Sequence, residues 1–192
     1  MKSIIGLLLP CVLLAQIAAG EASHEDSRSV VLRVSDWQLN LKPTAGPNNV
    51  GNCLIVYADG RLHLELRRQE FFGDNASLST YEGVLSNQDL AFLRSILDSA
   101  DVRKLPKFRL PRHPSASDNF ESFVVDIYRE EAVQKVGYFT WEGEPKPRED
   151  DKAAWAEQRA ALQPLVQWSR ETKSFKKAGW RRVHNANSTC QP

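Results

Sequence analysis

Two stretches of this chain interleave cations with aromatic and apolar side chains, a pattern suited to gripping an anionic surface. The first, Arg103-Lys104-Leu105-Pro106-Lys107-Phe108-Arg109-Leu110-Pro111-Arg112-His113, is stiffened by its prolines. The second, Lys173-Ser174-Phe175-Lys176-Lys177-Ala178-Gly179-Trp180-Arg181-Arg182, carries the same mixture without proline. Charge would supply attraction, and the rings would add contact area and cation–π energy. The candidate contacts are Lys107, Arg109 and Arg112 in the first stretch, and Lys176, Lys177, Trp180, Arg181 and Arg182 in the second. The competing reading is a solvated crossover and a solvated tail whose aromatic side chains dock onto the domain.

Catalytic patterns are missing. The chain has no Gly-rich phosphate loop, no Gly-x-Ser-x-Gly elbow and no paired-histidine zinc motif. Of His24, His63, His113 and His184, only His63 falls on a rigid element, on the same strand face as Glu65. That pair could pass a proton, but two residues are not an active site, and a polar strand surface accounts for them. Among the carboxylates, Glu82 and Asp126 sit on expected strands, while Glu142, Glu144, Glu149, Asp150 and Asp151 cluster farther on. Glycosidase chemistry needs two carboxyl groups held roughly 5–10 Å apart across a groove. Nothing in the spacing fixes such a pair, and the cluster reads as the acidic start of a helix.

Residues 1–20 read as a secretory leader: Met1-Lys2-Ser3 is a basic start, residues 4–15 are apolar, and Ala18 and Gly20 are the small pair before a cut ahead of Glu21. A second cut after Ala22 fits the same rule. The apolar run is short for a membrane span, so no transmembrane segment is expected after cleavage. Lys2 leaves with the leader, which brings the 25 Lys and Arg level with the 24 Asp and Glu. A formally neutral chain argues against a nucleic-acid partner. Cys11 leaves too. Cys53 and Cys190 remain, an even count in an exported chain, so one intramolecular disulfide is expected. It would close a loop of roughly 138 residues, worth about 5 kcal/mol in the chain-entropy model. Two cysteines do not complete a zinc site, and only His184 lies near either of them, so neither metal nor cofactor is expected. Asn75-Ala76-Ser77 and Asn187-Ser188-Thr189 fit the glycosylation triplet, which matters only in a host with that machinery.

The elements that must position these groups follow from periodicity. Residues 30–41 alternate as a strand, with a bulge expected near Ser35-Asp36 to bring Trp37 into phase with the apolar set. Residues 53–58 and 61–67 flank Asp59-Gly60, which predicts a hairpin with a type I′ turn. On its second strand Leu62, Leu64 and Leu66 face a core, while Arg61, His63, Glu65 and Arg67 face water or a partner. A third strand is expected over 80–85. Ser86 then caps a helix, with Asp89 at its third position, Leu85 and Leu90 as a hydrophobic staple, and Leu90, Leu93, Ile96, Leu97 and Ala100 on one face. The prolines of 105–114 hold that stretch extended. A second hairpin joins 121–128 to 134–141, and a charged linker covers 142–148. A second helix begins near Asp150 or Asp151 and runs to Ser169, kinked or restarted at Pro164. From Lys173 a loosely ordered basic tail is expected. Trp37, Trp141, Trp155 and Trp168 fall on elements and read as core.

Clustered strands and segregated helices define an α+β fold: an antiparallel β-meander or hairpin sheet with two main helices packed on one face. The division is a signal peptide over 1–20, a single secreted domain over 21–172 and a basic C-terminal tail over 173–192. The Tyr57-Ala58-Asp59-Gly60 hairpin, the Tyr81-Glu82-Gly83 strand and the capped helix from Ser86 together resemble uncharacterised bacterial secreted or envelope α+β domains of unknown function, over residues 53–141. The resemblance implies bacterial export, and it brings neither an activity nor any site residue. The expected role is that of a secreted or periplasmic, non-enzymatic domain binding an envelope polymer or a protein partner. A small hydrolase of an extracellular polymer using carboxylates is the second expectation, and a structural or assembly subunit of the envelope is the third.

Overall fold

Leu62, Leu64 and Leu66 alternate with polar residues along one strand, and such an apolar row needs neighbours whose apolar faces match. The computed structural model describes residues 29–40, 49–69, 75–109, 119–130, 132–142, 148–174, 178–184 and 190. The strands are β1 (Val30–Asn40), β2 (Asn49–Tyr57), β3 (Arg61–Gln69), β4 (Ser77–Val84), β5 (Asn119–Tyr128), β6 (Val133–Glu142) and β7 (Arg181–Val183). The helices are α1 (Asn87–Leu97), α2 (Ala100–Arg103) and α3 (Glu149–Lys173). All strand pairs are antiparallel, in one seven-stranded sheet ordered β6-β5-β1-β2-β3-β4-β7. The α+β class expected from the sequence is therefore present.

Register decides which residues share a face. Val34 lies opposite Leu54, Leu54 opposite Leu64, and Val125 opposite both Val34 and Val136, so one face is a continuous apolar row. These residues share a buried cluster with Leu90, Leu93, Ile96 and Leu97 of α1, Val102 of α2, and Leu162, Leu165 and Val166 of α3. Ser86 starts α1 as expected: its Oγ accepts from the Asp89 N–H at 3.1 Å and donates to Asp89 Oδ2 at 2.6 Å. On α3, Gln158 Oε1 accepts from the Gly137 N–H of β6 at 2.7 Å, and Lys173 Nζ donates to Asp36 of β1 at 3.1 Å.

Several expectations are corrected. No bulge occurs at Ser35-Asp36: the β1–β2 register runs unbroken from Leu32 to Leu39, with its irregularity nearer Val30. Trp37 therefore stays in phase with Arg33 and Ser35 on the face opposite Leu32 and Val34, outside the core cluster. The first hairpin closes through three residues, Ala58, Asp59 and Gly60, with the Gly60 N–H donating to the Tyr57 carbonyl at 3.0 Å and Gly60 at φ 85°. That is the longer loop with a glycine in the left-handed region rather than the two-residue I′ turn. Asp59 reinforces it by accepting from the Arg61 N–H. The helix does not restart at Pro164: α3 runs through this exposed residue as one 25-residue helix, with Leu162, Leu165 and Val166 buried on either side of it. The expected loose tail instead supplies β7, paired with β4 from Thr80 to Glu82. The leader and its cleavage site lie outside the described residues, and among those residues no helix is long and apolar enough to cross a membrane.

Tyr138 offers a test of the core. Burial, reinforced by the nearby Glu121 carboxylate and opposed by Arg159, pushes its phenol up to about 12 from the ordinary 10.0. A folded-state value above the unfolded one means that this contribution is whole below pH 10 and is lost as pH rises through about 12. The alkaline loss of stability should reach at most about 3 kcal/mol from this group. Denaturant midpoints measured across that window should fall less steeply for Tyr138→Phe than for the parent.

Candidate functional site

α1 stops at Leu97 because Asp98 caps it, with its N–H turned back to the Arg94 carbonyl, and Ser99 immediately opens α2. This helix junction faces the far end of the β5–β6 hairpin. Arg129, the first residue after β5, reaches back across it: Nη1 donates to Asp98 Oδ1 at 3.2 Å and Nη2 to the Leu97 carbonyl at 3.0 Å. Its Nε and Nη2 also donate to Gln134 Oε1 at 3.2 and 2.9 Å, and Gln134 Nε2 donates to the Val102 carbonyl at 2.9 Å. Arg103 Nη2 meets the same Asp98 oxygen at 2.7 Å, and Arg94 Nη2 donates to the Ala58 carbonyl at 3.2 Å.

These groups line a cleft of about 700 Å³, floored by Val31, Leu97 and Ile127. That volume lies within the range of small-ligand sites. Arg94, Arg103 and Arg129 bring three positive charges to it against Asp98 and Glu130. Arg129 is nearly saturated by its partners. Arg94 and Arg103 each spend one contact on the described residues, and a guanidinium has five N–H donors. The cleft can therefore offer uncommitted, forked donors to a carboxylate or phosphate, beside an apolar floor.

The basic candidates from the sequence separate. Lys107 and Arg109 are exposed on the stretch that leaves α2, while Leu105 and Phe108 beside them are buried. The Phe108 N–H donates to the Lys135 carbonyl at 2.8 Å, so this stretch runs from the cleft along β6. Trp180 is half-buried and docked: its Nε1 donates to the Thr172 carbonyl at 2.9 Å. Arg181 meets Glu82 at 3.4 Å, and Arg182 is exposed. β6 and β7 are the opposite edges of the sheet, about 29 Å apart at the usual strand spacing, so the two stretches do not form one patch. Arg112, Lys176 and Lys177 lie outside the described residues. Arg94 and Arg129 were not singled out by sequence. Arg94 carried a signal, a cation in the last turn of a helix, where the dipole favours it. Nothing local marks Arg129 for the cleft, since the α1–α2 groups it meets are 31 and 32 residues away.

Several of the other candidate groups are engaged. Cys53 and Cys190 form the expected disulfide, with Cα atoms 6.0 Å apart. The polar face of β3 does not simply meet water: His63 and Glu65 are 8% and 3% exposed. His63 Nε2 lies 3.1 Å from Glu65 Oε1, which also accepts from the Cys190 N–H at 3.2 Å. Glu65 thus anchors the end of the tail. Asp126 accepts from Arg33 Nε at 3.0 Å and lies 3.5 Å from Lys135 Nζ, and that hydrogen bond raises the Arg33 guanidinium above its usual range. Glu149, Asp150 and Asp151 occupy the first turn of α3, as their helix-start reading requires.

Fold and cleft together define an α+β domain with a seven-stranded antiparallel sheet and an arginine-lined cleft at one end of it. No family model, curated protein or solved structure matches the chain.

Proposed function

We propose that this protein is an exported, non-enzymatic binding domain that holds the anionic groups of an envelope polymer in the cleft of Arg94, Arg103 and Arg129. In this reading both main helices pack on the apolar face of the sheet, and the end of α1 presents the cleft. The observation that carries it is the convergence of three guanidiniums, from α1, α2 and the end of β5, on a cleft where Asp98 is shared by two of them. Lys107 and Arg109 continue the positive track away from the cleft, which suits a chain of anionic units rather than a single ion. The disulfide and the leader-like start support an oxidising, exported setting.

The mature chain should bind a soluble polyanion such as polygalacturonate, and the affinity should fall as salt rises, because exposed charges are screened beyond about 8 Å at physiological ionic strength. Arg94→Gln together with Arg103→Gln should weaken binding at least about tenfold, the size expected for losing two charge-assisted contacts. The melting temperature should change little, since neither side chain is buried. Arg181→Gln with Arg182→Gln, at the opposite edge, should bind like the parent. Undiminished binding by the cleft variant would defeat the proposal. Cleavage of the polymer, abolished by removing one carboxylate, would replace it with the hydrolase reading.

A further inference from the structure

We propose a second site on the face of the sheet opposite the apolar core, taking a small carboxylate with a flat, apolar body. The row Trp37–Gly51–Arg67 crosses β1, β2 and β3 in register. Gly51 has no side chain to separate its neighbours, and the Trp37 ring leans into the vacancy: two ring carbons stand 2.6 and 2.7 Å from where a Cβ would be. The next residue along this face of β2 is Cys53, whose bond to Cys190 raises a wall of sulfur beside the indole. Between them lies a pocket of about 140 Å³ with a mainly apolar lining. A cavity of about 150 Å³ accommodates benzene, so this one suits a single ring.

Arg67 sets the charge of the ligand. It lines the pocket, is half-buried, and makes no hydrogen bond or ion pair among the described residues. The other charged groups of the pocket are committed. Arg33 is held by Asp126, Asp36 by Lys173, and Glu65 Oε1 accepts from the Cys190 N–H and faces His63. A guanidinium that has lost part of its water and gained no partner presents forked donors matched to a carboxylate. The ring of the ligand would lie against Trp37 and the disulfide, with its carboxylate at Arg67, on the side away from Glu65. This site is separate from the arginine cleft, and neither depends on the other.

Benzoate is the probe, benzamide its neutral counterpart, and the readout is the indole N–H signal of Trp37 in the mature, oxidised chain, assigned with Trp37→Phe. Benzoate should shift that signal saturably at millimolar concentration. Benzamide should bind at least about tenfold more weakly, as expected on losing a charge-assisted bidentate contact. Arg67→Gln should weaken benzoate by a similar factor, and Arg67→Lys should fall between, keeping the charge without the fork. The cleft variant Arg94→Gln/Arg103→Gln should bind benzoate like the parent, so failure here and failure of the polyanion reading are told apart. Equal binding of benzamide and benzoate overturns the proposal without any variant being needed. So does the absence of saturation at tens of millimolar, or unchanged affinity in Arg67→Gln.

Discussion

Replacing Cys53 and Cys190 together by serine should lower the unfolding free energy by about 3–5 kcal/mol, the largest single effect expected in this protein. The bond spans 137 positions in sequence, so its removal frees most of the unfolded chain from a long closed loop. The native side loses as well. β7 is three residues long and pairs with only the edge of the sheet, and the Cys190 N–H that satisfies Glu65 is placed by the same bond. Without that donor, a carboxylate 3% exposed keeps His63 but loses a backbone partner, a further cost of roughly 1–3 kcal/mol if no water replaces it. Equilibrium denaturation of the oxidised parent against the double variant checks this, and the variant should show the larger dependence on denaturant because its unfolded state is less confined. Thiol titration of the unfolded, unreduced mature protein should find no free cysteine. A stability loss below about 1 kcal/mol would mean that the unfolded chain is already compact enough to make the cross-link redundant.

Gly137→Ala should cost about 3 kcal/mol or more, because the new methyl group would strike backbone rather than side chain. Gly137 lies opposite Val124 in the β5–β6 pair. A Cβ there collides with the Phe123 carbonyl oxygen and stands 2.9 Å from the Val124 Cα. Neither atom can rotate away. Moving the strand would disturb the stacked Phe123–Tyr138 pair and the bond from the Gly137 N–H to Gln158 that ties α3 to the sheet. Gly51→Ala is the informative comparison. The three atoms nearest its Cβ all belong to the ring of half-buried Trp37, a side chain that turns about χ1 and χ2 where a backbone atom does not. Denaturation midpoints should therefore rank parent, Gly51→Ala, Gly137→Ala from highest to lowest. The reverse order of the two variants would show that the β5–β6 backbone yields more easily than the indole.

Local chemistry made much of the fold legible in advance. The Ser86 cap, the strands of the two hairpins, the buried Leu90, Leu93, Ile96 and Leu97 of α1 and the acidic start of α3 each depend on residues within a few positions of one another and stand where spacing put them, whereas Ala100, expected on the same helix face, is exposed and begins α2. Trp37 reads as core because it falls on a strand, and a bulge would be needed to bring it into phase with the apolar set. The strand stays regular instead, and the ring covers Gly51, a residue far enough along the chain that no window could pair them. The basic tail read as solvated because charges dominate its composition. Yet a single Trp180 bond to α3, three positions of pairing with β4 and a distant cysteine are enough to order its described part.

By itself, the sequence determined the α+β class, the partners of the disulfide, and the places of β1 to β6, α1 and α3, but neither α2 nor β7, because periodicity, capping and cysteine count are local or exhaustive. Only the tertiary structure decided which charges meet. Arg129 and Asp98 are joined by the order in which strands assemble, not by spacing, and the same order sends Lys107 and Arg181 to opposite edges of the sheet. Whether a charged residue is spent or available is likewise a property of the assembled sheet. Arg33 and Arg67 look alike in sequence, but β5 places Asp126 beside the first, and no described element places a carboxylate against the second.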